Sequence, residues 1–218
     1  MRLTWYGHAA FLLEASDETR IILDPYRAGA FGDELTYDPI AETADAALAS
    51  HAHDDHGAVD TIPGNPLTAV HPRELSVGTV SIQGIPTKHD DAGGTKRGEN
   101  TVMVLEADGL RVAHLGDLGH PLSAAEREDI GAVDVLLIPV GGYYTIDAAQ
   151  AAKVVSALQP SIVVPMHYRN ESCSLPITPV DDFLATQTRV VQVGSSVLDL
   201  NSISLPQETT TYVLKPAR

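Results

Sequence analysis

Cysteine is almost absent from this sequence: Cys173 stands alone among 218 residues. A single cysteine excludes an internal disulfide and a thiolate cluster, so any metal site here must use nitrogen and oxygen ligands. Cys173 itself reads as a packed thiol, in keeping with the burial habits of free cysteine. Long apolar runs are also missing. Nothing approaches the roughly 20 residues of a membrane-spanning helix. The opening stretch MRLTWYGHAAFLLEASDETR is broken by His8 and Glu14, so it lacks the core and cleavage pattern of a signal peptide. The expectation is a cytoplasmic protein without a membrane partner. Cations are scarce, with 14 Lys and Arg against 29 Asp and Glu, a formal net charge of -15. Such a surface repels phosphate backbones and disfavours a nucleic-acid partner. Repeats, low-complexity tracts and long linkers are absent too, so residues 1–218 read as one domain with enough chain to bury a core.

What is present is an alternation of apolar, β-branched runs with turn signals. Residues 2–6, 10–14 and 20–23 read as a three-stranded meander. Residues 46–50 read as a short buried strand, and 79–85, 101–106 and 111–115 as further strands, with an Asp108-Gly109 hairpin turn between the last two. Residues 133–140 and 161–165 are apolar enough to be buried on both faces. Helices are fewer: 123–129 opening on a capping box, 146–158 capped by Asp147, and a weaker one at 179–186. Sheets packed on each other with helices outside, an α/β or α+β class, follow from this order.

The chemistry concentrates in Ser50-His51-Ala52-His53-Asp54-Asp55-His56, directly after a buried strand. Residues two apart on an extended backbone point the same way, so His51 and His53 can reach one cation. A turn at Asp54 would carry Asp55 and His56 toward a second cation. Packing this many ionisable groups at a buried strand end without a metal would be costly. A metal needs further ligands, and three residues qualify by position. His89, Asp117 and His167 each follow a predicted strand.

Taken in order, these segments resemble the metallo-β-lactamase superfamily. A strand ending in Asp24 is followed by the His51 to His56 motif, then His89, Asp117 and His167. The segments Gly7-His8, Ile22-Leu23-Asp24-Pro25, His114-Leu115-Gly116-Asp117-Leu118-Gly119-His120 and Pro165-Met166-His167-Tyr168 are similar to a small bacterial and archaeal branch near the ascorbate-6-phosphate lactonases. The resemblance implies a four-layer αββα sandwich with the site at one edge. It implies two divalent metal ions, zinc first, with manganese and iron as alternatives. One would take His51, His53 and His89, the other Asp55, His56 and His167, with Asp117 bridging them and Asp24 supporting a ligand loop. The implied activity is a metal-dependent hydrolase whose metal-bridging hydroxide attacks a small lactone, ester or phosphoester, with Asp55 among the catalytic residues. The phosphodiesterases and nucleases of tRNA 3′-processing are an alternative, as is a non-hydrolytic metal-binding or redox protein. The net charge speaks against the nuclease. His53 speaks against the redox relatives, which place an acid there.

Further residues carry weaker expectations. His120 is a candidate proton donor to the leaving group, set against a loop histidine that orients a ligand. His8 either faces the site or is a satisfied strand-end histidine. His114 and His71 read as structural. The loop 90–100, with three glycines and two adjacent cations, reads as a mobile cover able to touch an anionic substrate, set against a plain solvated loop. The tyrosines of 141–147 could line the same pocket. A small, anionic substrate is the expected partner, and a homo-oligomer is compatible with the sequence.

Overall fold

The computed structural model describes residues 1–201 and 203–218. Its strands are β1 (Arg2–Gly7), β2 (Ala10–Glu14), β3 (Arg20–Leu23), β4 (Ala46–Ala49), β5 (Leu67–Val70), β6 (Glu74–Val77), β7 (Val80–Lys88), β8 (Glu99–Ala107), β9 (Leu110–His114), β10 (Val135–Pro139), β11 (Ile162–Met166), β12 (Val190–Gln192), β13 (Val197–Asp199) and β14 (Thr210–Val213). The α-helices are α1 (Ala124–Ile130), α2 (Ala148–Leu158) and α3 (Asp181–Leu184). One sheet runs in the order β13-β1-β2-β3-β4-β5 and the other β12-β14-β11-β10-β9-β8-β7-β6. Both are mixed. The meander β1-β2-β3 is antiparallel and continues into parallel β4 and β5. In the larger sheet β9, β10, β11 and β14 are parallel, and β6 to β9 antiparallel.

Side-chain alternation along the meander explains why the sheets stack. Leu3, Trp5, Phe11, Leu13, Ile21 and Leu23 join the large core shared with β8 to β11. Tyr6, Ala10, Leu12 and Ile22 point the other way, under Tyr26, Leu35, Tyr37 and Leu175. The two-residue period of a strand requires this split. Strands β10 and β11 are buried at every position, as continuous apolar runs between covered faces should be. Helix α2 packs Ala151, Val154 and Val155 into the main core. This is the stack of two sheets that the resemblance implies, with irregular chain and two short 3-10 turns covering much of the smaller sheet.

The expected elements appear with small shifts. Helix α2 starts at Ala148 because Asp147 caps it, accepting from Gln150 N at 2.8 Å while Gln150 answers through the Asp147 backbone N–H. Helix α1 opens on the Ser123–Glu126 capping box. Helix α3 is only one turn long, shorter than the pattern suggested. Asp108 and Gly109 form the two-residue turn between β8 and β9, at φ 55 and 76.

Candidate metal centre

Six of the residues that matter sit within three positions of a strand end, and His53, Asp55 and His56 follow His51 in the turn after β4. His8 follows β1, Asp24 follows β3, His51 follows β4 by one residue, and His89 follows β7. Asp117 lies three past β9, and His167 directly follows β11. Strand ends from both sheets therefore meet at one edge of the sandwich. His8, Asp24 and His167 take left-handed backbone, at φ 49, 45 and 52. His and Asp tolerate that region better than most residues, and such local strain marks functional sites. Gly116 (φ +53) turns the chain between His114 and Asp117, where a Cβ would strike Ser50 and Asn100.

All seven expected ligands come together. His51, His53 and His89 form one group whose ligand atoms lie within 4.8 Å of one another. Asp55, His56 and His167 form a second group, joined by His8. Asp117 stands between them. Its Oδ2 lies 3.2 Å from His89 Nε2 and 3.9 Å from His51 Nε2. Its Oδ1 lies 3.1 Å from His56 Nε2 and 3.3 Å from His167 Nε2. Two ligands sharing one tetrahedral cation at ~2.0–2.1 Å sit roughly 3.3 Å apart. The spacing and the donor types therefore suit divalent cations.

A second observation tests the fit. Among the described residues, the buried side-chain atoms without a hydrogen-bond partner are Arg20 Nε and seven atoms of this cluster. They include His51 Nε2, His56 Nε2, His167 Nε2 and Asp117 Oδ1. Buried polar atoms are rarely orphaned, so a convergent set calls for a missing partner. The opposite ring nitrogens are partly spoken for. His56 Nδ1 lies 2.7 Å from Asp24 Oδ2, and His51 Nδ1 lies 3.0 Å from Ser50 Oγ. Ser50 in turn gives its hydroxyl to Asp24 Oδ2 at 2.7 Å and its backbone N–H to Oδ1 at 2.6 Å. Asp24 thus holds two imidazoles with their Nε2 lone pairs facing inward, a supporting role of the kind metal sites use.

Burial resists charge on every group here, and the neighbours decide the outcome. The three carboxylates beside His56, those of Asp117, Asp55 and Asp24, outweigh its desolvation and hold its pKa well above the ordinary value. Burial likewise opposes ionisation of Asp117 and Asp55, yet the histidines around each hold it well below the carboxylate range. Burial, with His56 nearby, lowers His51 to about 3, and burial, with His167 nearby, lowers His8 to about 4. Neutral imidazoles and ionised carboxylates are the forms that bind metal, so His56 would give up its second proton to a cation.

Other expectations resolve differently. His8 faces the cluster, with Nε2 3.1 Å from Asp55 Oδ2 and its ring centroid 4.0 Å from that of His167. His114 is structural, bonding Ala9 O through Nε2 and receiving Gly116 N–H on Nδ1. His71 meets Thr101 Oγ1. His120, expected as a proton donor, has both ring nitrogens engaged. Nε2 accepts the Lys88 backbone N–H at 3.1 Å and Nδ1 donates to Pro121 O at 3.0 Å. That arrangement braces the end of β7 beside His89. The loop 90–100 is not a loose cover. The Asp90 carboxylate accepts the backbone N–H groups of Ala92, Gly94, Lys96 and Arg97 at 2.8–2.9 Å. Asn100, which the sequence reading passed over, accepts the Asp117 N–H at 2.9 Å and donates to Thr87 and Leu115. A lone Asn between a glycine-rich loop and a strand gave no signal of this.

His53, Asp55, His89 and Asp117 line a cavity of about 230 Å³, with Phe31, Tyr144 and Leu175 as apolar walls.

Comparison with known proteins accords with this geometry. The profile of the β-lactamase superfamily domain matches residues 2–167. A UPF0173 metal-dependent hydrolase of Archaeoglobus fulgidus is 31% identical, spanning 77% of this chain and 83% of its own length. A structure from Thermotoga maritima, assigned to the Zn-dependent hydrolases of the metallo-β-lactamase superfamily, is 36% identical with a TM-score of 0.80, covering 98% of this chain and 97% of that one. A metallo hydrolase of Ignicoccus hospitalis shares the fold at a TM-score of 0.66 and 23% identity, covering 100% of this chain and 96% of its own.

Proposed function

The chain belongs to the metallo-β-lactamase superfamily, and from that premise we propose that it is a hydrolase of small esters, lactones or phosphoesters working with two divalent cations. The observation that carries the reading is the set of orphaned buried atoms, His51 Nε2, His56 Nε2, His167 Nε2 and Asp117 Oδ1, converging between the two groups of imidazoles. His51, His53 and His89 would hold one cation and Asp55, His56 and His167 the other, with one Asp117 oxygen for each. Zinc suits this mixture of imidazoles and carboxylates best. When bound, the cations supply Lewis acidity toward the scissile carbonyl or phosphoryl oxygen and bring the pKa of water toward neutrality.

The chain's own residues do the positioning and the proton work. Asp24 and Ser50 fix the rings of His51 and His56, and Asn100 fixes the backbone of Asp117. His8 holds Asp55 Oδ2 at 3.1 Å, at the cavity wall. Asp55 would take the proton of the attacking water and return it to the departing group. His120 is not needed as the donor. A cavity of about 230 Å³ favours a small molecule over a polymer.

Metal content and chelation test the proposal. Reconstituted protein should carry about two divalent metals per chain, as a two-metal clamp requires. A panel of para-nitrophenyl esters, lactones and phosphodiesters should include substrates whose hydrolysis stops with chelator and returns with metal. Less than one metal per chain, or hydrolysis that survives chelation, overturns it.

A further inference from the structure

Arg97 lines the same cavity as His89 and Asp117. It comes from the loop between β7 and β8, and it is the cation of that loop left without an acid. Lys88 pairs with Glu99 at 2.6 Å and Lys96 with Asp91 at 3.2 Å. The Arg97 guanidinium has no carboxylate within ion-pair range among the described residues. It lies over the Tyr144 ring, 5.4 Å from the centroid. What sets this arginine apart is its place: a half-buried guanidinium on the wall of the cavity that the candidate ligands line.

Its placement is also held. The Arg97 backbone N–H donates to Asp90 Oδ2 at 2.8 Å, and Asp90 directly follows His89. The Asp90 carboxylate, itself buried, binds Ala92 and Gly94 through its other oxygen. Arg97 therefore keeps register with a candidate ligand through one short, hydrogen-bonded loop. Tyr144 braces the guanidinium from the α2 side, and Tyr143 stacks edge-on against Tyr144 at 4.7 Å. Phe31 and Leu175 complete an apolar wall, with Phe31 half exposed at the mouth. Besides the candidate ligands Asp55 and Asp117, the lining holds one further acid, Glu34, which is exposed.

Resting on the hydrolase reading above, we propose that Arg97 is the anion anchor of the substrate site, selecting an ester or lactone that carries a carboxylate or phosphate beyond a short apolar spacer. The planar guanidinium matches either oxyanion with paired donors. Stacking on Tyr144 holds the fork in place, so little rotamer freedom is lost on binding. The spacer lies along Phe31 and Leu175. Glu34 repels a second anionic group and so limits the substrate to one.

The experiment compares two esters on the metal-reconstituted protein: para-nitrophenyl butyrate and the mono-para-nitrophenyl ester of succinate. The ratio of kcat/KM, anionic over neutral, should exceed unity in the wild type. Arg97→Gln should lower that ratio by about 10- to 100-fold, mostly through KM, the worth of a charge-assisted hydrogen-bonded pair. Arg97→Lys should recover part of it, Arg97→Glu should invert the preference, and Glu34→Gln should raise the ratio. Calorimetric titration with butyrate and with glycerol phosphate tells the two oxyanions apart, and Arg97→Gln should weaken whichever binds by the same factor. If neither ester is hydrolysed, the panel of esters, lactones and phosphodiesters decides the hydrolase reading, and the titration decides Arg97. A ratio or an affinity that Arg97→Gln leaves unmoved overturns the anchor and makes Arg97 a packing partner of Tyr144.

Discussion

Asp117 gives one carboxylate oxygen to each group of imidazoles, while His53 belongs to one group and is exposed. The two should therefore fail differently. Asp117→Ala is expected to empty or disorder both halves of the centre, and His53→Ala to weaken one. Elemental analysis of the two variants reads this directly, and equal stoichiometry would remove Asp117 from the shared position. His120 offers a second contrast. With both ring nitrogens engaged in bracing Lys88 and Pro121, His120→Ala should slow an activated aryl ester and a poor-leaving-group ester by the same factor. A loss confined to the poor leaving group would restore it as the proton donor. These residues differ in how well the sequence announced them. His51, His53, Asp55 and His56 lie within six positions, and no packing requirement puts so many ionisable groups together. Asn100 and Arg97 act through where their loop returns in space, which spacing along the chain does not encode.

The same distinction holds for secondary structure. The meander and the strands at 46–50, 133–140 and 161–165 were legible because burial on one or both faces writes itself into apolar pattern. Strands β5, β6, β12 and β13 were not, and each is an edge strand. Residues Leu67, Val70, Val190 and Val191 on β5 and β12 are exposed. An edge strand is defined by backbone pairing and needs no apolar face, so its sequence stays silent. Strand β14 lies inside the sheet but is rich in threonine and only four residues long. Helix starts were legible for a local reason: capping uses side chains three apart. The Asp147–Gln150 box starts α2 immediately after the loop that carries Tyr143 and Tyr144. Asp147→Ala should cost about 1 kcal/mol of stability, read as a lower urea midpoint with an unchanged slope. An unchanged midpoint would show the cap to be redundant with the packing of Ala151, Val154 and Val155.

At the scale of the whole molecule, the excess of acids and the convergent ligands lead to one expectation. Cations that bind only the folded chain stabilise it by mass action, about 2.7 kcal/mol at a free concentration 100-fold above Kd. For a chain of this length that is roughly 5–10 °C in Tm. Thermal unfolding with chelator and with excess zinc measures the difference. Identical midpoints would mean that the cluster does not bind metal in the native state. No helix among the described residues is long and apolar enough to cross a membrane.

The His8 carbonyl accepts the backbone N–H of His167 at 3.1 Å and the Trp5 indole N–H at 3.0 Å, tying the first turn of one sheet to the end of β11 in the other. The two halves of that tie are made far apart in time on the ribosome. While the first ten strands emerge, the His8 carbonyl lacks the His167 N–H and the second group of ligands lacks His167. A cation captured early by His51, His53 and His89 would wait in a half-built chamber until the sheet holding β11 closed over it. Metal loading would then be ordered by synthesis: the group near the amino-terminal motif could fill first, and the other would gain its full set of donors only after nearly the whole fold has assembled. Contacts of such long sequence separation are slow to form, so the second filling, rather than collapse of the meander, should set the pace at which newly made chains become competent.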